Sequence, residues 1–497
     1  MKAERQRMKR NSMLAIDMGA SNGRVVWGQW SESGLETREV HRFENVPTTE
    51  NGLMCWDLPR LLNEIAAGIA KCGQEFYTLG LCSWGNTIGL LGADGNLLCA
   101  PIHYREPKTD EGLAPLYAKI RREQMFDQTL YIPMTIQPAV VLSYLKQARP
   151  ETIAATKRVL MISDLMNYLL SGKAVSEQTM AATSGMIDMR TRDWSKEYQK
   201  RAQLNPDWFP GLVSSRTILG PLNEKYRPAQ SETPLVIAVA GHDTASASGV
   251  IEHSSNADSL YLSCGTWSCM GCSVDAPVDD RRVLNIGATN DLGPDGDYQI
   301  RFNHTGLWIL QECRREWNRQ GYNFSHADLA RMAMECGNVD AVIDTEDELF
   351  FRSGDMPQKV QKYLKETWQP VVESPAEITR VILESLAFRY RYSADVLSRL
   401  SGTKFTSIRV VGGGCKNELL CQLMANATGL TVYAGPTEAS TIGNFIQQGL
   451  AYGVFESRAE ALKLLRGPEI KKYLPAEDYE SKYRKALKIC KWKTLNA

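Results

Sequence analysis

The chain has 497 residues, 43% of them hydrophobic, with 57 acidic and 57 basic side chains. That length accommodates two or three domains with substantial cores, and a net charge of zero excludes a general attraction for nucleic acid or anionic membrane, so the expected partner is a small molecule. No run of eighteen apolar residues exists and no apolar region of leader length follows the basic lead-in Met1 to Ser12, so no membrane span or secretory leader is expected and the expected compartment is the cytoplasm.

After that lead-in, read as a disordered tail or the product of an early start codon, the apolar run from Met13 ends in Asp17. A turn rich in Gly and Ser follows, and Val25 to Trp27 resume a strand. Gly19 and Gly23 permit close backbone approach, so such a turn can offer N–H groups to phosphate oxygens, with Asp17 placed to hold a hydrated Mg²⁺; a plain hairpin is the alternative. Next come a helix near Leu58 to Cys72, a strand near Gly80 to Leu91, and mostly helical segments up to Leu170.

The apolar strand Pro234 to Ala240 runs into Gly241, His242, Asp243, Thr244 and Ala245, a lone carboxylate among small residues. A rigid strand behind it and room in front of it suit a base that takes a hydroxyl proton, and the alternative is an Asp capping a helix that starts near Ala245. Tyr261 to Gly271 repeats the first hairpin, with Gly265 and Thr266 at its turn. Two such hairpins roughly half a chain apart predict two lobes facing a cleft.

Ser374, Pro375 and Glu377 open a long helix to Leu400 as N-cap, N1 and N3. Val410 and Val411 then run into Gly412, Gly413 and Gly414, which let a flat ring or a phosphate sit against backbone; a tight turn would need only one glycine. The helix behind them carries Leu419, Leu420, Leu423, Met424 and Ala427 on one face and stops at Gly429. A strand at Thr431 to Ala434 turns through Pro436 to Gly443 into a further helix, and the stretch from Glu469 reads as a solvated helix with a frayed end.

The twelve cysteines read as free thiols, Cys264, Cys269 and Cys272 as strand packing and not as a metal site, and His304 as no part of a metal cluster. GxxxxGK[ST] and GxGxxG after a strand are absent, so nucleotide binding is expected in the cleft between lobes.

These motifs, with Trp56-Asp57, Ser83-Trp84-Gly85, Gly306-Leu307-Trp308 and Ala434 to Gly443, resemble the FGGY carbohydrate kinases of the actin-like ATPase superfamily, and within them the branch that phosphorylates L-rhamnulose. The resemblance implies an α/β fold of two actin-like, ribonuclease H-like lobes, each a mixed sheet flanked by helices. The first, 1–245, would hold the sugar and the first phosphate hairpin; the second, 246–497, would hold the nucleotide. It implies ATP-dependent transfer to a primary hydroxyl of a ketose, with Mg²⁺, in a monomer or homodimer.

By the same resemblance Asp243 is the base, flanked at the sugar by His242 and Thr244, with Trp84, Gly85 and Asn303 around the substrate. Ala20, Ser21, Asn22, Gly23 and Arg24 lie along the phosphates, Asp17 binds Mg²⁺ through water, and Thr266 meets the phosphates from the second lobe. Gln311, Gly412, Gly413, Gly414 and Asn417 border the nucleotide. One departure stands out: where that branch carries an Asp two residues after the Trp-Gly pair, this chain has Thr87, and Glu106 stands where an Asp is usual. A pocket that binds hydroxyls discriminates by its polar partners, so another ketose or polyol, of the L-fuculose, xylulose or ribulose class, is the first alternative. An actin-like ATPase with no sugar acceptor is the second.

Overall fold

In the computed structural model, which describes residues 10–230, 232–251, 258–465 and 470–493, the first hairpin is the centre of a six-stranded sheet. Strands β1 (Ser12–Met18), β2 (Asn22–Ser31) and β3 (Gly34–Glu44) pair antiparallel in sequence, β4 (Thr78–Ser83) lies parallel to β1, and β5 (Thr217–Pro221) and β6 (Leu235–Ala238) complete the order β5-β6-β4-β1-β2-β3. Every residue of β1 and β4 is buried, as central strands covered on both faces must be.

The second sheet repeats the plan. Its hairpin is β7 (Ser259–Cys264) and β8 (Ser268–Val274), joined by β9 (Ala288–Leu292), β10 (Tyr298–His304), β11 (Ser407–Val411), β12 (Thr431–Ala434) and β13 (Lys471–Tyr473) in the order β9-β10-β8-β7-β11-β12-β13. In both sheets the hairpin's first strand has its antiparallel partner on one side and a parallel strand, β4 or β11, on the other. This is the two-lobed α/β architecture that the paired hairpins predicted.

Helix α1 (Leu58–Lys71) buries Leu58, Leu61, Ile65 and Ile69 on one face, and the Asp57 carboxylate accepts from the Arg60 N–H at 3.1 Å to cap it. Two further helices line the cleft, α2 (Asp243–Ser248) and α3 (Trp308–Arg319), and the long helix α4 (Pro375–Ser401) is opened by the expected Ser374–Glu377 capping box. Behind β11, α5 (Glu418–Thr428) ends on Gly429 at φ 70°. Helix α6 (Ala439–Tyr452) comes from the second half of the chain yet packs on the first sheet. Its Asn444 donates to the Gly80 carbonyl at 3.1 Å and its Gln448 to the Leu14 carbonyl at 3.1 Å, while Phe445 joins Met13, Ala15, Val26 and Trp30 in one apolar cluster.

Two expectations need correction. The strand expected from Gly80 to Leu91 breaks at Trp84 to Thr87, because Asn86 adopts φ 62° and turns the chain out of the first sheet; Ile88–Leu91 pairs instead with Arg158–Met161. The C-terminal stretch is no solvated helix: Lys471–Tyr473 closes the edge of the second sheet, and Glu480–Cys490 buries Tyr483, Ala486 and Cys490, spaced i, i+3, i+7, in the second core. Most of the Met1 to Ser12 lead-in and Glu469 lie outside the described residues. No described helix is long and apolar enough to cross a membrane.

Candidate active site

A cleft of about 470 Å³ lies between the two sheets, lined from both lobes. Asp243 borders it as the first residue of α2, and His242, not Asp243, occupies the N-cap position, which removes the capping explanation for the carboxylate. The peptide before it is clamped on two sides. From one, the Ser83 N–H donates to the Gly241 carbonyl at 2.8 Å, extending β4. From the other, the fully buried Glu177 carboxylate accepts from the Gly241 N–H at 2.9 Å, the Thr179 N–H at 3.1 Å, the Met180 N–H at 3.0 Å, the Thr179 hydroxyl at 2.6 Å and the Ser215 hydroxyl at 2.7 Å. Thr179 Oγ1 in turn accepts from the His242 N–H at 3.4 Å. The two N–H groups that precede Asp243 therefore end on one carboxylate and its hydroxyl partner. Nothing in the sequence around Glu177 signals this, because the contact spans 64 residues.

Desolvation in the cleft, then the nearby charge of Asp17, lifts the Asp243 carboxyl to about 7. Thr244 Oγ1 donates to it at 3.3 Å, and His242 Nε2 stands 3.6 Å away, beyond hydrogen-bond reach. Burial, reinforced by the charge of Arg301, holds His242 well below its ordinary value and so neutral, and its Nδ1 has no partner among the described residues.

Asp17 contrasts with Asp243. Burial alone would raise its carboxyl, but the charge of Arg24 and hydrogen bonds from Ser440, Arg24 and Thr441 outweigh burial and keep it below the usual range. All those donors meet one oxygen: Oδ2 accepts from Arg24 Nη2 at 2.6 Å and Nε at 3.1 Å, Ser440 Oγ at 2.5 Å and Thr441 Oγ1 at 2.8 Å. Among the described residues Oδ1 carries only a 3.8 Å contact from Cys82 Sγ. Two carboxylates thus share the cleft, one held ionised and one poised near neutrality.

The hairpin turns face each other across one end. Gly19 N–H to Asn22 O and Gly265 N–H to Trp267 O, each 2.8 Å, tighten them, and Ala20, Ser21, Asn22, Arg24, Gly265 and Thr266 line the space. Thr266 Oγ1 donates to Gln311 Oε1 at 3.1 Å, and Gly306 at φ 61° lets Leu307 and Trp308 N–H groups cap the Gly265 and Thr266 carbonyls at 3.0 and 3.2 Å. Gly412 and Gly413 border the same end with Lys416, Glu438 and Ser440, three positions the sequence reading did not single out. Arg24 pairs with both Asp17 and Glu438, which ties the lobes together.

Three expected residues do not line the cleft. A Cβ on Gly23 would strike the Phe43 ring, and one on Gly414 would strike Cys264, so both glycines serve packing. The Asn417 side chain turns back to accept the Leu420 N–H at 3.0 Å as the cap of α5.

The other end is aromatic. Trp84, Trp56, His103 and Tyr104 form a continuous stack with centroids 4.2, 4.3 and 4.7 Å apart, of which Trp84 and Tyr104 face the cleft beside Gly85, Tyr131, Arg301 and Asn303. Burial pushes His103 down to about 3, so the stack is uncharged. Thr87 lies beneath this wall and not in it: its hydroxyl accepts from Trp84 Nε1 at 3.0 Å and Trp56 Nε1 at 3.3 Å, with 1% of the residue exposed. Glu106 is also structural, accepting the Met54 N–H at 2.6 Å and the Lys108 N–H at 3.0 Å. The two departures noted in the sequence therefore act on the pocket through its supports.

Comparison with other proteins agrees with this geometry. Residues 12–248 match the N-terminal domain model of the FGGY family of carbohydrate kinases, and residues 260–452 match the C-terminal one. The chain is 34% identical to the rhamnulokinase of Bacteroides thetaiotaomicron, over 95% of this chain and 97% of that protein. It is also 34% identical to the rhamnulokinase of Halalkalibacterium halodurans, over 94% and 99%. Among solved structures, a ligand-bound xylulose kinase from Lactobacillus acidophilus superposes with a TM-score of 0.75 at 17% identity, covering 96% of each chain. Plasmodium falciparum glycerol kinase with ADP superposes with a TM-score of 0.74 at 16% identity and the same coverage.

Proposed function

From the premise that this chain belongs to the FGGY family of carbohydrate kinases and is an ATP-dependent sugar kinase, we propose that its acceptor is L-rhamnulose, phosphorylated at a primary hydroxyl to L-rhamnulose 1-phosphate. Membership of that family removes the alternative of an ATPase with no sugar acceptor. The observation that carries the reading is that Asp243 lines one cleft together with Trp84, Tyr104 and the two hairpin turns, supported by 34% identity to rhamnulokinases over nearly the whole chain.

In this reading Asp243 accepts the proton of the hydroxyl as its oxygen forms a bond to the γ-phosphorus of ATP and the bond to the β-bridging oxygen breaks, releasing ADP. A carboxyl near neutrality suits a base that must take up the proton and later return it to solvent. Neutral His242, with a free ring nitrogen, and Asn303 orient the sugar, and Trp84 and Tyr104 cover its apolar face and exclude water. The turns Ala20 to Asn22 and Gly265-Thr266 meet the phosphates, and Gln311, Gly412 and Gly413 border the nucleotide.

Magnesium fits the donors present. No group of three or more His, Cys, Asp or Glu side chains among the described residues forms a metal cage, which agrees with an ion held by phosphates, water and one or two carboxylates. Asp17, whose Oδ1 carries among the described residues only the 3.8 Å contact from Cys82 Sγ, is the group that would hold it, through water. When bound, the ion neutralises charge that develops on the transferring phosphoryl group.

The test is ADP release with Mg-ATP over L-rhamnulose, L-fuculose, D- and L-xylulose, D- and L-ribulose and glycerol. Highest kcat/KM on L-rhamnulose is expected; a clear preference for another acceptor would assign this kinase to that sugar instead.

A further inference from the structure

The second sheet turns one face to the cleft, and strand register orders that face in two rows. Ser263, Cys269 and Asn303 are mutual neighbours in one row; Tyr261, Gly271 and Arg301 in the next. Arg301 and Asn303 share the face because they are two residues apart on β10. Gly271 is what admits the arginine: a Cβ there would stand 2.7 Å from Arg301 Cβ, the Ile300 carbonyl and the Tyr261 hydroxyl. The guanidinium is 97% buried, and its Nη2 pairs at 2.5 Å with Asp291 Oδ2, itself buried, diagonally across β9.

Taking this pair out of water is costly for each ion before its mutual attraction is counted, so as a device for stability alone it is poor. Arg301 also lines the cleft, and its Nε–H has no partner among the described residues. A buried donor left unpaired is unfavourable, and a ligand oxygen that reaches it recovers that loss. Asp291 cancels the guanidinium charge, so the site favours a neutral hydroxyl over a carboxylate.

Resting on the ketose reading of this cleft, we propose that Arg301, held by Asp291, is a specificity-determining residue that donates to a hydroxyl of the sugar remote from the carbon being phosphorylated. It supplies a polar contact to a pocket in which Thr87 is occupied with two indoles and offers the substrate nothing.

Two variants test this. Arg301→Lys keeps a cation against Asp291, and Arg301→Leu/Asp291→Asn removes both charges so that no ion is stranded. With L-rhamnulose and its monodeoxy analogues as acceptors, both variants should raise the sugar KM on the order of 10- to 100-fold, with the KM for ATP within about twofold. The penalty for deleting one particular hydroxyl, large in the unsubstituted protein, should shrink in both. An unchanged sugar KM in either variant, or hydroxyl penalties identical to those of the unsubstituted protein, would overturn the proposal. Preference for an aldonate over every ketose would overturn it as well. Absence of ketose turnover in the unsubstituted protein would sink the substrate reading and this inference with it, whereas normal turnover with indifferent variants would sink this inference alone.

Discussion

Asp243 can take a proton only as a carboxylate, and its carboxyl titrates at about 7. As pH falls through that value the base is lost, so kcat/KM for the sugar should drop tenfold per unit below about 7 in a pH-rate profile of the free enzyme. The Asp17 charge is part of what lifts Asp243. Asp17→Asn should therefore move this acid limb to lower pH while also lowering kcat, and a limb that stays in place would separate the two carboxylates. Thr87 is argued from the same scale. Its hydroxyl is the acceptor for two buried indole N–H groups, and Thr87→Val keeps the shape but strands both donors. Chemical denaturation should report a loss of about 1–3 kcal/mol.

Helix α2 carries Asp243, and its position depends on neighbours distant in sequence. Glu177→Ala would leave the Gly241, Thr179 and Met180 N–H groups without their acceptor. A displacement of about 1 Å at the base costs on the order of 10²-fold in kcat, with the KM for ATP unmoved. Glu177→Gln should restore most of that turnover, because its amide can turn the carbonyl to the three N–H groups and its NH₂ to Ser215 Oγ. Equal losses in Ala and Gln would point to a simple packing defect. This dependence explains what could and could not be read in advance. The two hairpins, the Ser374–Glu377 box and the Gly429 stop are local patterns, decided by residues within a few positions of one another, and they stand as expected. Glu177, the Arg301–Asp291 pair and the edge strand Lys471–Tyr473 exist only through register and tertiary contact. Gly23, Gly414 and Asn417 show the reverse limit: they lie within cleft-forming motifs but face away from the cleft.

On the scale of the whole molecule, the two halves of the chain meet around the cleft at more than one place. At the first hairpin turn Arg24 and Asp17 reach Glu438, Ser440 and Thr441. At the second, Arg105 of the first lobe lies over Trp308 at 4.3 Å, Phe351 at 4.8 Å and Trp267 at 5.0 Å, and donates to the Phe351 carbonyl at 2.8 Å. A desolvated cation over aromatic faces is worth about 2 kcal/mol, so Arg105→Ala should loosen this junction and lower kcat/KM for the sugar on the order of 10-fold. The whole account rests on sugar-dependent phosphoryl transfer with Asp243 as base. Its most direct test is ADP release from Mg-ATP with and without L-rhamnulose, by the unsubstituted protein and by Asp243→Asn, alongside ATP affinity for each. The account predicts sugar-dependent release that falls on the order of 10²- to 10⁴-fold in the variant while ATP binds both proteins alike. Full sugar-dependent turnover by Asp243→Asn, or release indifferent to the sugar in the unsubstituted protein, would contradict it.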